Sequence, residues 1–138
     1  MASIGKKYIL IKINEEQWAW PLQSSSQFFN IDYVLPLLKT EKYIAGLAYQ
    51  HGRILTVIRA DKLIGHSKSS LNIKQALWFD YRQDAYAILL DGGGEIVTVK
   101  NFSNDPQKKI FKRYFKHQAN KIYCLEPELI MSVLKIYD

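Results

Sequence analysis

The sequence predicts an all-β fold with a few short helices, and three observations carry that expectation. Runs of β-branched and aromatic residues recur along the chain, at Tyr8–Ile13, Trp18–Leu22, Tyr43–Gln50, Ile54–Ile58, Leu77–Phe79, Ala85–Leu90, Glu95–Val99 and Lys121–Leu125. Within the stretches 8–22, 43–58 and 77–99 they follow one another at roughly ten-residue intervals with polar or glycine turn signals between them, the spacing of a barrel or sandwich. Stretches that suit a helix are few and short.

With 138 residues the chain is expected to form one domain with a core that needs no disulfide or metal. Apolar residues make up 48% and charged residues 23%, ordinary for a globular protein. No apolar run approaches the roughly 20 residues that span a bilayer. The basic pair Lys6-Lys7 precedes an apolar run too short for a signal peptide and broken by Lys12, so the expected location is cytoplasmic. Cys124 is the single cysteine, which removes a disulfide framework and a cysteine-based zinc site and fits a buried, inert thiol. The net charge of +6 permits nucleic acid, anionic lipid or an acidic protein as a partner and selects none of them.

Taken in order, Tyr8–Ile13 and Trp18–Leu22 form a first hairpin around the polar turn Asn14–Gln17, with Trp18, Trp20 and Leu22 alternating onto one face. Pro21 cannot donate to a ladder, so the second strand must lie at an edge or end there. Ser24–Gln27 reads as a loop, and Phe28–Leu38, broken by Asn30, Asp32 and Pro36, as irregular or short-strand structure. Tyr43 to Gly65 is the organising stretch: strand, tight turn at His51-Gly52, strand, and one helical turn. Gly46 allows a bend or a close approach, and Gly52 supplies a positive φ for the hairpin. Ile54–Ile58 suits a strand buried on both faces; Asp61 is expected to cap the short helix and Gly65 to stop it. His66–Ser70 has the composition of a linker. Leu77–Leu90 folds back on itself around Arg82–Asp84, and Asp91–Gly94 turns the chain into Glu95–Val99. After Lys121–Leu125, Pro127 opens a helix whose residues Leu129, Ile130, Val133 and Leu134 share a face.

The stretch from Gly46 resembles the central signature of the CheW-like family, the coupling proteins of bacterial chemosensory arrays. That family's usual string is Gly-Val-x-Asn-Leu-Arg-Gly-x-Ile-Val-Pro-Val-Val-Asp-Leu, and Gly46 and Gly52 keep its glycine spacing. His51 stands where the family has Arg, Thr56 where it has Pro, and Arg59 where it has Asp. If the family's Arg and Asp pair with each other, that pair is absent here. Upstream, Ser25 and Gln27 replace the Val and Glu of a Val-x-Glu-Ile string, and Phe28 keeps its apolar end; downstream, Leu90-Asp91 match a Val-Asp-x-Val string in which Gly93 takes the last place. The closing strand and helix also fit, so the resemblance spans nearly the whole chain.

The resemblance implies a single domain over residues 1–138 made of two interwoven five-stranded SH3-like β-barrels, with the chain crossing between them near 66–75. It implies a non-enzymatic adaptor that links a chemoreceptor's signalling tip to the regulatory domain of a histidine kinase, without cofactor or metal. By matched position, the partner-binding candidates are Ser25, Gln27, Gly46, His51 and Gly52. Their altered chemistry points to a specialised coupling protein, such as one serving pilus motility.

The remaining motifs give catalysis little to work with. Asp91–Gly94 lacks the Lys and Ser or Thr of a phosphate loop and runs into Glu95 and a strand. His51, His66 and His117 are too far apart to have metal-ligand spacing. No nucleophile elbow or catalytic triad order stands out. His51 reads equally as an exposed turn histidine and as a partner contact. Lys108–Lys116 is the densest run of charge and is expected to form an amphipathic helix, with Ile110, Phe111, Tyr114 and Phe115 on the core and the basic residues in solvent. The alternative function is a basic nucleic-acid-binding barrel, against which Trp18, Trp20 and Trp78 sit at core spacing and not among the basic residues.

Overall fold

The computed structural model describes residues 5–23, 26–37, 42–65 and 75–134. Its elements in chain order are β1 (Lys6–Ile13), β2 (Glu16–Pro21), β3 (Gln27–Asn30), β4 (Ile44–Gln50), β5 (Arg53–Ile58), α1 (Ala60–Leu63), β6 (Gln75–Tyr81), β7 (Asp84–Leu90), β8 (Gly92–Val99), β9 (Ser103–Asn104), β10 (Arg113–His117), β11 (Asn120–Cys124) and α2 (Pro127–Leu134). The fold is strand-dominated with two short helices among the described residues, as the sequence leads one to expect. The strands form two sheets, one in each of two compact units. The first unit comprises Met1–Leu22 with Gly93–Asp138, and the second is the inserted Gln23–Gly92. The His66–Ser70 linker lies outside the described residues, as does nearly all of the expected crossing near 66–75.

The first unit carries six strands in the order β8-β1-β2-β11-β10-β9. β1 and β2 form the expected hairpin, closed by Asn14 and Glu15 at φ 49° and 69°, a primed turn that matches strand twist. β2 runs parallel to β11 through Trp18 and Ala19, opposite Tyr123 and Cys124, and the Leu125 N–H donates to the Ala19 carbonyl at 2.8 Å. The strand ends at Pro21, so the proline interrupts no ladder, although β2 lies inside the sheet. Tyr8, Leu10, Ala19, Val99, Phe115, Ile122 and Cys124 form the core, with the Tyr8 ring 5.6 Å from Phe102 and 5.8 Å from Phe115. Burial, then the nearby Glu126 carboxylate, pushes the Cys124 thiol up to about 12.

The glycines at 92–94 are not a free turn but the start of β8. A Cβ on Gly93, at φ 157°, would lie 2.6 Å from the Leu10 carbonyl oxygen, so the strand packs on β1 at a distance only glycine permits.

Lys108–Lys116 forms no helix. The chain turns after Asp105, whose carboxylate accepts the Gln107 N–H at 3.0 Å and the Tyr123 hydroxyl at 2.7 Å. Phe111 then adopts φ 54°, which stops any helical run, and β10 follows. The apolar residues satisfy a two-residue period as well: Phe115 is buried and Tyr114 pairs on the outer face with Tyr123. In α2 the buried residues are Pro127, Ile130, Met131 and Leu134, while Leu129 is exposed, a face rotated from the expected one.

The second unit carries five strands in the order β3-β6-β7-β5-β4 around Ile31, Ala48, Leu55, Val57, Ala76, Trp78, Ala85, Ala87 and Leu89. β5 is not covered on both faces throughout. Leu55, Val57 and Ile58 are fully buried, but Ile54 is 66% exposed beside its cross-strand partner Tyr49, itself 72% exposed. After β5, Arg59 occupies the N-cap position of α1 without a side-chain cap bond, and Asp61 lies inside the first turn instead of capping it. Gly65, at φ 95°, follows the helix, and its N–H donates to the Lys62 carbonyl at 3.2 Å, the expected stop.

Candidate partner-binding surface

The hairpin β4–β5 closes with His51 and Gly52 at φ 50° and 76°, the two left-handed residues of a primed turn. This places the His51 imidazole 6.1 Å from the Trp78 ring, tilted by 39°. On the other side, Gln27 pairs directly with Trp78 across β3 and β6. The structure therefore brings Gln27 and His51, distant in sequence, to one tryptophan.

Trp78 is held firmly. Its indole N–H donates to Asp80 Oδ1 at 3.0 Å, and Phe29 meets its ring edge-on at 6.3 Å. Arg53 stacks over the same ring at 5.9 Å while donating to Asp80 Oδ1 at 3.3 Å and to the Gln83 carbonyl at 2.9 Å. The Arg53–Asp80 pair is more than a third exposed on both sides, so it adds little stability by itself. Its effect is positional: it ties the tip of the β4–β5 hairpin to β6 and fixes where His51 sits. Arg53 and Asp80 escape a reading of the sequence because their ion pair depends on strand register, which no local motif encodes.

The other expected residues differ in kind. Gly52 is exposed and a Cβ there would meet nothing, so only its positive φ favours glycine. Gly46 is buried at the other end of β4, with φ 149° and a β-bulge beside it. A Cβ there would collide with the Leu35 carbonyl, because Leu35 and Leu47 exchange backbone hydrogen bonds of 2.7 and 2.9 Å across it. Gly46 thus acts through packing. Ser25 lies outside the described residues.

Arg59 and His51 make separate contacts. Arg59 pairs with Asp61 through two hydrogen bonds of 3.1 and 2.8 Å, and His51 faces Trp78. Beside His51 lies the exposed pair Tyr49 and Ile54, an apolar step on the outer face of the hairpin. Trp18, Trp20 and Trp78 are all buried, so none offers a free face to a nucleic-acid base.

Among the described residues no group of three or more His, Cys, Asp or Glu could hold a metal ion, and no helix is long and apolar enough to cross a membrane. The unit offers a turn imidazole and an amide side chain at Trp78 and, on the outer face of the hairpin, an apolar step.

No protein-family model matches the sequence, and no curated protein does. Among solved structures, the scaffolding protein CheW from Thermoanaerobacter tengcongensis matches at 15% sequence identity over 88% of each chain, with a TM-score of 0.75. On that likeness, the chain has a CheW-like fold.

Proposed function

We propose that this chain is a non-enzymatic adaptor of a bacterial chemosensory pathway, joining the cytoplasmic tip of a chemoreceptor to a chemotaxis-type histidine kinase. The observation that carries this reading is the likeness, over most of both chains, to a protein described as a scaffold. The arrangement around Trp78 supports it, since Gln27 pairs with Trp78 in register, His51 lies near its ring, and both stand at positions matched to the family's partner-binding residues. Such an adaptor works by surface complementarity: a helical receptor tip docks on polar and ring side chains, and an apolar step such as Tyr49–Ile54 meets the kinase. The protein acts in the cytoplasm, where both partners present these domains, and a pilus-based motility system is one such pathway.

The test is calorimetric titration, at physiological salt, with a receptor-tip fragment and with a kinase regulatory domain from the same genome. Saturable binding of either, lost in His51→Asp with the fold intact, is the expected result. Absence of binding to every such pair from that genome overturns the adaptor reading.

A further inference from the structure

The β10–β11 hairpin has an outer face on which two cations oppose each other. Tyr114 pairs with Tyr123 and Lys116 with Lys121, while Phe115 and Ile122 between them point into the core. Like charges directly opposite on one face of a hairpin repel. Lys108 brings a third ammonium, 4.6 Å from the Tyr123 ring, and the Lys121 ammonium sits 5.0 Å from the Tyr114 ring. Lys116 makes no ion pair among the described residues.

The acidic groups nearby offset part of this charge, chiefly around Lys108 and Lys121. Asp105 attracts Lys121 and Lys108 while it also accepts the Tyr123 hydroxyl and the Gln107 N–H. Glu95 lies 3.4 Å from His117. Glu15 and Glu16 share with Lys108 and Lys121 a hollow of about 500 Å³ on one flank of the hairpin. On the other flank a hollow of about 520 Å³ is bordered by Lys100, Lys116 and His117.

We propose that the outer face of β10–β11 is a docking surface for an acidic protein segment rich in aspartate and glutamate. Its charge is complementary to such a segment, and the two hollows leave room for side chains on either side. The two tyrosine rings lie 5.4 Å apart at 49° and each carries an ammonium, so they form no open platform for stacked bases. This surface belongs to the first unit and Trp78 to the second, and its test involves neither receptor nor kinase.

The experiment is a titration of the isotope-labelled full chain with a short polyglutamate peptide at near-physiological salt, followed by backbone amide shifts. Saturable shifts centred on Tyr114, Lys116, Lys121 and Tyr123 are expected, with affinity about tenfold weaker or lower in K116Q/K121Q. That variant should stay folded and melt close to the parent, because the repulsion it removes offsets the Lys121 contacts with Tyr114 and Asp105 that it loses. K7Q/K12Q, which loses the same charge on β1, should bind like the parent. Equal loss in K7Q/K12Q, tighter binding of oligothymidylate or of anionic vesicles through the same residues, or no binding of the peptide each overturns the proposal.

Discussion

Arg59 grips Asp61 through two parallel hydrogen bonds, and the carboxylate it holds is 1% exposed. A charge at that depth is tolerated because the guanidinium fork matches it and supplies opposite charge. Removing the cation in Arg59→Ala leaves a buried carboxylate unpaired. Because Arg59 is itself about a quarter exposed, water recovers part of the loss, and the expected destabilisation is about 2–3 kcal/mol in urea unfolding. The double variant Arg59→Met, Asp61→Leu should recover most of it, since it buries no charge.

The same pair sets an acid limit. Burial by itself would raise the Asp61 carboxyl, but the hydrogen bonds and charge of Arg59 outweigh it, and the group sits below its ordinary value. A depressed folded value means the stabilisation is present above the unfolded value, about pH 4, and is lost as pH falls further. Unfolding free energy measured downward from neutrality should therefore fall below about pH 4, and less steeply in Asp61→Asn.

Gly46 and Gly52 both have positive φ, yet they should respond differently to alanine. At Gly52 only the backbone preference is lost, a cost of about 1 kcal/mol. At Gly46 the new methyl also meets the Leu35 carbonyl, so Gly46→Ala should cost roughly 2 kcal/mol or more and should loosen the Leu35–Leu47 bridge. Denaturant curves with hydrogen exchange at Leu47 separate the two.

At high pH the first unit is the sensitive part. Burial, and next the Glu126 carboxylate, raises both the Cys124 thiol and the Tyr8 hydroxyl. For groups whose folded value is raised, stabilisation is full below the unfolded value and disappears as pH climbs toward the folded one. Stability should decline from about pH 9 upward, more shallowly in Cys124→Ala, and the thiol should react with a disulfide reagent only on unfolding.

Much of this fold was legible in the residues, and the exceptions have physical causes. The hairpins at Tyr8–Trp20, Tyr49–Ile54 and Leu77–Leu90 follow from alternation and turn chemistry that are local. Lys108–Lys116 was ambiguous because Phe111, Tyr114 and Phe115 suit a helical face, while the strand partner Asn120–Cys124 is what decides. Asp61 looked like a cap because a carboxylate near a helix start usually is one, but here a cation two residues back claims it. At the candidate site, Gln27, His51 and Gly52 could be singled out from matched positions. Trp78, Arg53 and Asp80, which position them, could not, since their meeting depends on which strands pair.

The parallel pairing of Trp18 with Tyr123 joins segments more than a hundred residues apart, with the whole second unit between them. During synthesis the inserted unit can close its own hairpins as they emerge from the ribosome, whereas β2 must wait for β11 before its ladder is complete. Folding is then ordered in time by chain connectivity, with the early Trp18 and Trp20 surface open to chaperones until the last strands arrive.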